Sequence, residues 1–157
     1  MSKEKPVPRP APESVPYWQA AKQRRLELPR CNACGQFWFP PSQSCPHCLS
    51  ADFAFTPVSG RGKVFSFVTF HRVYHPAFEQ EVPYVVALVE LAEGPRLLTN
   101  IVGVPLDKVA CEMPVKVVFD DVADGVSVPK FTPVQLSSPS PRGGEGRGEG
   151  VRTEKSL

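Results

Sequence analysis

The segment CNACGQFWFPPSQSCPHC, residues 31–48, holds two Cys-x-x-Cys pairs separated by ten residues. Two residues between cysteines let one tight turn aim both sulfurs at a single ion, and four thiolates complete a tetrahedron. Gly35, directly after Cys34, supplies the backbone freedom that a metal knuckle requires, and Pro46 stiffens the second knuckle. The spacing therefore predicts a rubredoxin-like zinc ribbon, with Cys31, Cys34, Cys45 and Cys48 holding one structural zinc per chain. Iron in a rubredoxin-type site uses the same four sulfurs, so ligand type alone leaves both metals open. A closed four-thiolate site has no position for substrate or water; it contributes folding energy, not catalysis. His47, inside the second knuckle, is expected to point outward, and the aromatics of FWFPP to project from the ribbon.

Upstream, residues 1–12 (MSKEKPVPRPAP) carry four prolines and few large apolar groups, the composition of a mobile tail. Residues 13–29 read as a helix, with Ser14 as N-cap, Pro16 in the first turn and Pro29 as the stop. Tyr17, Ala21 and Leu28 would share its apolar face. Lys22, Arg24 and Arg25 would be left for water, phosphate or a partner. The ribbon is assigned to residues 30–56.

Downstream, residues 57–135 alternate runs of high strand propensity with turn chemistry. After ADFAFTPV, which reads as one further strand, come VFSFVTFHRV, PYVVALVEL, PRLLTNIVG, PVKVVFDDV and VSVPKF. Five such strands, with a helical turn expected near LDKV, predict a closed OB-fold barrel; a small sandwich is the alternative. The fold class is thus mainly β: an N-terminal helix, a zinc ribbon, then a five-stranded OB-fold. YVVALVEL and VFSFVTF are apolar on both faces, so part of the barrel exterior needs cover. Cys111, alone in DKVACEMP, is expected to be a small buried hydrophobe. Residues 136–157 are Gly/Ser/Arg/Glu low-complexity sequence and read as a disordered tail.

The net charge of +2 is unevenly spread. Residues 60–135 carry seven Lys/Arg against nine Asp/Glu, a poor match to a phosphate-binding surface. No nucleophile elbow, metal-hydrolase pattern or Walker-type loop is present, and SGRGKVF leads into a strand rather than a helix. The chain reads as non-enzymatic. Without an export signal or a bilayer-length apolar run, it is expected to be cytoplasmic with reduced thiols and no membrane contact. Candidate ligand contacts are Phe67, Phe70, His71 and Tyr74, near the end of the first barrel strand.

In PYWQAAKQRRLELPRCNACG, FPPSQSCPHC, PVSGRGKVFSFVTFHR, HPAF, VPYVVALVEL, GPRLLTNIVG, CEMPVKVVF and PKFTP, in that order, the sequence resembles the zinc-ribbon plus OB-fold proteins of domain-of-unknown-function family thirty-five. One departure is Cys111–Glu112 before Met113, where the family more often has glycine. The resemblance implies a non-catalytic companion of thiolase-superfamily enzymes of the thiolase, acyl-CoA aldolase or hydroxymethylglutaryl-CoA synthase type. It would dock as part of a hetero-oligomer and help bind or channel an acyl-CoA. A nucleic-acid-binding ribbon/OB module, stacking bases on Phe67, Phe70 and Tyr74, is the alternative; a rubredoxin-like electron carrier is a weaker one.

Overall fold

A computed structural model describes residues 5–134; the tail expected at 136–157 and the first four residues lie outside the described residues. A 3-10 turn at Pro12–Ser14 leads into helix α1 (Val15–Lys22). Strands β1 (Glu27–Cys31) and β2 (Phe53–Pro57) pair antiparallel and bracket the ribbon. Then follow β3 (Arg61–Phe70), β4 (Tyr84–Leu91), β5 (Arg96–Ile101), β6 (Pro114–Ala123) and β7 (Val126–Pro133).

Strands β3 to β7 close a barrel in the order β3-β4-β5-β7-β6, with β6 returning to β3. Every pairing is antiparallel except β5 with β7, which meet in parallel at Ile101 and Phe131. This is the expected five-stranded OB-fold, and Leu106–Lys108 form a helical turn in the β5–β6 connection. Closure matters because it leaves a short sheet without exposed edges. Along β4, Val85, Ala87, Val89 and Leu91 point inward and are buried, while Tyr84, Val86, Leu88 and Glu90 point outward. Phe131, Leu97, Val64 and Val115 complete the interior.

Gly60 and Gly62 serve the closure. Gly60 is left-handed (φ +68°), and a Cβ there would meet Val117 Cγ1 at 2.4 Å. Its carbonyl accepts the Val117 N–H at 2.7 Å. A Cβ on Gly62 would lie 2.4 Å from the Glu90 carbonyl oxygen, so the β3–β4 approach itself requires glycine.

The N-terminal region corrects the sequence reading. The helix ends at Lys22, not at Pro29, and Pro29 is buried within β1 opposite Phe55. A turn through Arg24, left-handed at φ 61°, reverses the chain so that Leu26 and Leu28 enter the barrel core. Burial of Leu28 within β1 and of Leu26 just before it outweighs the helical propensity of QAAKQRRLEL. Ser14 is not a side-chain cap; its hydroxyl donates to the Ala11 carbonyl at 2.9 Å. Within the segment expected to be a mobile tail, Lys5 pairs with Glu81 and sits 5.9 Å from the Phe78 ring centroid, while Pro6, Val7 and residues 9–11 are exposed. Cys111 is exposed, not buried, because Glu112 beside it turns left-handed (φ 65°) and donates its N–H to the Val64 carbonyl. That conformation suits the glycine commoner there.

Arg24 ties this turn to the barrel. Its guanidinium donates to the Phe119 carbonyl at 3.0 Å and to the Asp121 carboxylate at 2.5 Å. The Ser127 hydroxyl and Arg24 hold the Asp121 carboxyl below its ordinary value. A depressed carboxyl stabilises the fold above the ordinary carboxylate range, and this contribution is lost as pH falls through the lowered value. Asp121→Asn should therefore lower the melting temperature at pH 7, and by less as the pH is taken down through the acidic range, as a pH series of thermal melts will show.

Candidate metal centre and docking face

The two cysteine knuckles repeat one backbone pattern. In the first, the Gly35 N–H donates to the Cys31 carbonyl and the Cys31 N–H to the Gln36 carbonyl, both at 2.9 Å. In the second, the Leu49 N–H donates to the Cys45 carbonyl and the Cys45 N–H to the Ser50 carbonyl, both at 2.8 Å. The turns converge the sulfurs: Cys31 and Cys48 lie 3.5 Å apart, Cys34 and Cys45 3.7 Å, and all four fall within 4.8 Å of one another. A tetrahedron with Zn–S bonds of about 2.3 Å places its sulfurs about 3.8 Å apart. The donor set fits zinc.

Backbone N–H groups assist the thiolates. The Cys34 N–H donates to the Cys31 sulfur and the His47 N–H to the Cys45 sulfur, each at 3.4 Å. The first of these holds the Cys31 thiol down at about 6. Cys48 accepts from the Ser50 N–H, yet the sulfurs of Cys31 and Cys34 push it up to about 12. Four thiolates this close repel one another, and a dication removes the conflict. Behind the sulfurs, Trp38 packs edge-on against Phe53 at 5.1 Å and donates its indole N–H to Ser42 at 3.0 Å. His47 is exposed, as expected. The neighbouring aromatics do not project: Phe39 tilts against Tyr17 at 5.4 Å, and both Phe37 and Phe39 pack on the barrel core. Alternation along this segment explains the difference, sending Trp38 to the ribbon and its neighbours to the barrel.

Among the described residues, part of the barrel exterior is an exposed apolar face. Val68 lies opposite Val86, and Leu88 opposite Leu98, across β3, β4 and β5. Phe65, Val68 and Leu98 are 41%, 52% and 72% exposed. Paired charges border the face: Lys63 with Glu112 at 2.7 Å, and Arg96 with Glu90 at 2.8 Å. Arg96 also covers the Phe65 ring, its Cζ 3.5 Å from the centroid.

The candidate ligand contacts divide. Phe70 stacks on Tyr84 at 5.4 Å and meets Tyr74 edge-on at 5.8 Å; His71 and Tyr74 are exposed in the following loop. Phe67 is opposite Ala87 and faces away from Phe70, because strand residues alternate. Of the basic trio, Arg24 is committed to Asp121, Arg25 pairs with Glu27 at 3.1 Å, and Lys22 lies beside Gly125. Beside Tyr84 opens a cleft of about 580 Å³ whose lining includes Phe78, Ile101, Leu106 and Lys130. Tyr84 is legible in the two-faced apolar run YVVALVEL; the exposure of Leu98 and the placement of Arg96 over Phe65 are not. No helix among the described residues is long and apolar enough to cross a membrane.

Residues 18–54 match the model of the ChsH2 rubredoxin-like zinc ribbon domain, and residues 55–120 that of the ChsH2 C-terminal OB-fold domain. A DUF35 domain-containing scaffold protein of Methanocaldococcus jannaschii is 36% identical over 77% of this chain and 91% of its own length. The chain belongs to the DUF35 family. A solved DUF35 structure, the Ltp2-ChsH2(DUF35) aldolase, is 44% identical with a TM-score of 0.74, covering 80% of this chain and 98% of that one. A probable enoyl-CoA hydratase alpha subunit of Thermomonospora curvata is 45% identical over 80% of this chain, which spans only 40% of that relative. Benzoylsuccinyl-CoA thiolase subunit BbsA of Thauera aromatica is 33% identical over 48% of this chain and 51% of its own length. The DUF35 zinc-ribbon match and the four clustered sulfurs agree on the cofactor: one structural zinc.

Proposed function

We propose that the chain is a non-catalytic accessory subunit that docks on a thiolase-superfamily enzyme, of thiolase, acyl-CoA aldolase or hydroxymethylglutaryl-CoA synthase type, and helps bind or channel its acyl-CoA. The observation that carries this reading is the exposed apolar face of β3, β4 and β5. An apolar surface of this kind, bordered by paired charges, is the anatomy of a protein interface. The relatives, a scaffold protein, a thiolase subunit and a ChsH2(DUF35) aldolase, support the choice of partner class. Phe70, which stacks on the cleft residue Tyr84, Tyr74 against it and His71 following it are the proposed contacts for the acyl-CoA, with Phe67 on the opposite strand face; Lys22 and Arg25 are proposed for phosphate or partner contact. A nucleic-acid reading gains no support from a face whose cations are paired with carboxylates.

Co-expression of the full chain with a thiolase-like subunit, followed by size exclusion, tests the reading. A stable complex is expected. Val68→Lys with Leu98→Lys should weaken it by about tenfold or more while leaving the zinc content and melting temperature of the isolated chain nearly unchanged. A chain that stays alone with every such subunit would overturn the proposal.

A further inference from the structure

The twin knuckles provide an internal control. Gly35 and Leu49 occupy the same place in the repeated pattern, each one residue past the second cysteine of its pair, with its N–H returned to the first. Both are left-handed, at φ +75° and +63°. Glycine suits that conformation; a bulky side chain opposes it. Leu49 is nevertheless a leucine, and at 79% it is the most exposed large apolar side chain among the described residues. Among the described residues it gains no packing to offset the unfavourable backbone or the contact with water. A side chain costly to the free protein on both counts is explained when something outside the chain covers it.

The surroundings indicate what that is. Four thiolates around a zinc dication leave an excess of two negative charges, and the sulfurs of Cys34 and Cys48 are on exposed residues. Leu49 follows Cys48 directly, so the leucine rises from an anionic surface. Near the site, Arg30 donates to the Gly35 carbonyl at 3.3 Å, and Asp52 accepts from Asn32 at 2.7 Å, so these two nearby charges offset each other. A complementary surface would present an apolar pocket edged by lysine or arginine.

We propose that Leu49 is a docking anchor, inserted into an apolar pocket with a basic rim on the acyl-CoA enzyme subunit. The inference rests on the accessory-subunit reading and adds a second contact, on the ribbon, to the one on the barrel.

The test uses the full zinc-loaded chain and the thiolase-like subunit that forms a complex with it, both purified. Leu49→Gly should raise the Kd about tenfold or more, while the free variant keeps one zinc and melts no lower than wild type, since glycine relieves the backbone. Leu49→Met, which restores an apolar side chain, should bind within about threefold of wild type. Raising sodium chloride from about 0.1 to 0.5 M should weaken the wild-type complex, because the rim contact is electrostatic. Equal affinity of Leu49→Gly and wild type overturns the anchor, and a salt-independent Kd overturns the basic rim. If the wild-type chain forms no complex at all, the accessory-subunit reading falls first and the anchor falls with it.

Discussion

Replacing Cys45 by serine is expected to abolish zinc binding and to lower the melting temperature by about 10 °C or more. Cys45 is fully buried among Cys31, Trp38 and Phe53, and this small cluster is the ribbon's own core. So little apolar surface does not hold a module of this size, and metal binding supplies the missing folding energy. A loss of about 3 kcal/mol or more is expected. At about 3 °C per kcal/mol for a chain of this length, it gives the stated shift. Elemental analysis should find one zinc in the wild type and none in the variant, with loss of near-UV ellipticity from Trp38. Acid should act in the same direction. A thiol depressed to about 6 contributes fully above the ordinary thiol range, and its contribution is lost as pH falls through that value. Zinc should leave on acidification, because each ligand must shed its proton to bind. A Cys45→Ser protein that keeps its metal would refute the assignment.

Truncating Phe131 to alanine should cost about 3–5 kcal/mol, again a drop of about 10 °C or more, while one zinc per chain is retained at room temperature. Phe131 is fully buried on β7, opposite Val117 of β6 and in the parallel contact with Ile101 of β5. Its carbonyl accepts the Val102 N–H at 2.8 Å. The cavity would open where the barrel closes, and the rigid sheet leaves little freedom for collapse into it. Thermal melts combined with metal content separate the two variants: both lose stability, and only the cysteine variant loses zinc. A shift under about 3 °C would show that the seam is not where the barrel's stability resides.

The metal site was legible because its information is local. Two Cys-x-x-Cys pairs encode turn geometry and ligand chemistry in eighteen residues, 31–48. The barrel was legible for a related reason: strand runs and glycine turns such as Gly60 occur in order along the chain. Pro29 misled because proline normally ends a helix, whereas here it lies in a two-stranded sheet where Cys31, not Pro29, supplies the N–H to Gln36. That outcome depends on Leu26 and Leu28 reaching the barrel, a long-range event that no helical propensity scale contains. The tilt of Phe39 against Tyr17 and the seating of Lys5 beside Phe78 are tertiary in the same sense. Likewise, the exposure of Cys111 follows from the conformation of Glu112, set by its bond to Val64.

Tyr17, Leu26 and Leu28 belong to the same buried cluster as Val64, Val89 and Phe131. Although the family matches divide between residues 54 and 55, physics draws no line there. Severing the chain at that point would leave the barrel with a hole where two leucines had been, and the ribbon with a greasy stub. Neither piece could be shuffled alone. The pair would have to be inherited as one cassette, which is how a unit of this kind can amount to nearly a whole scaffold protein in one relative and 40% of a longer polypeptide in another.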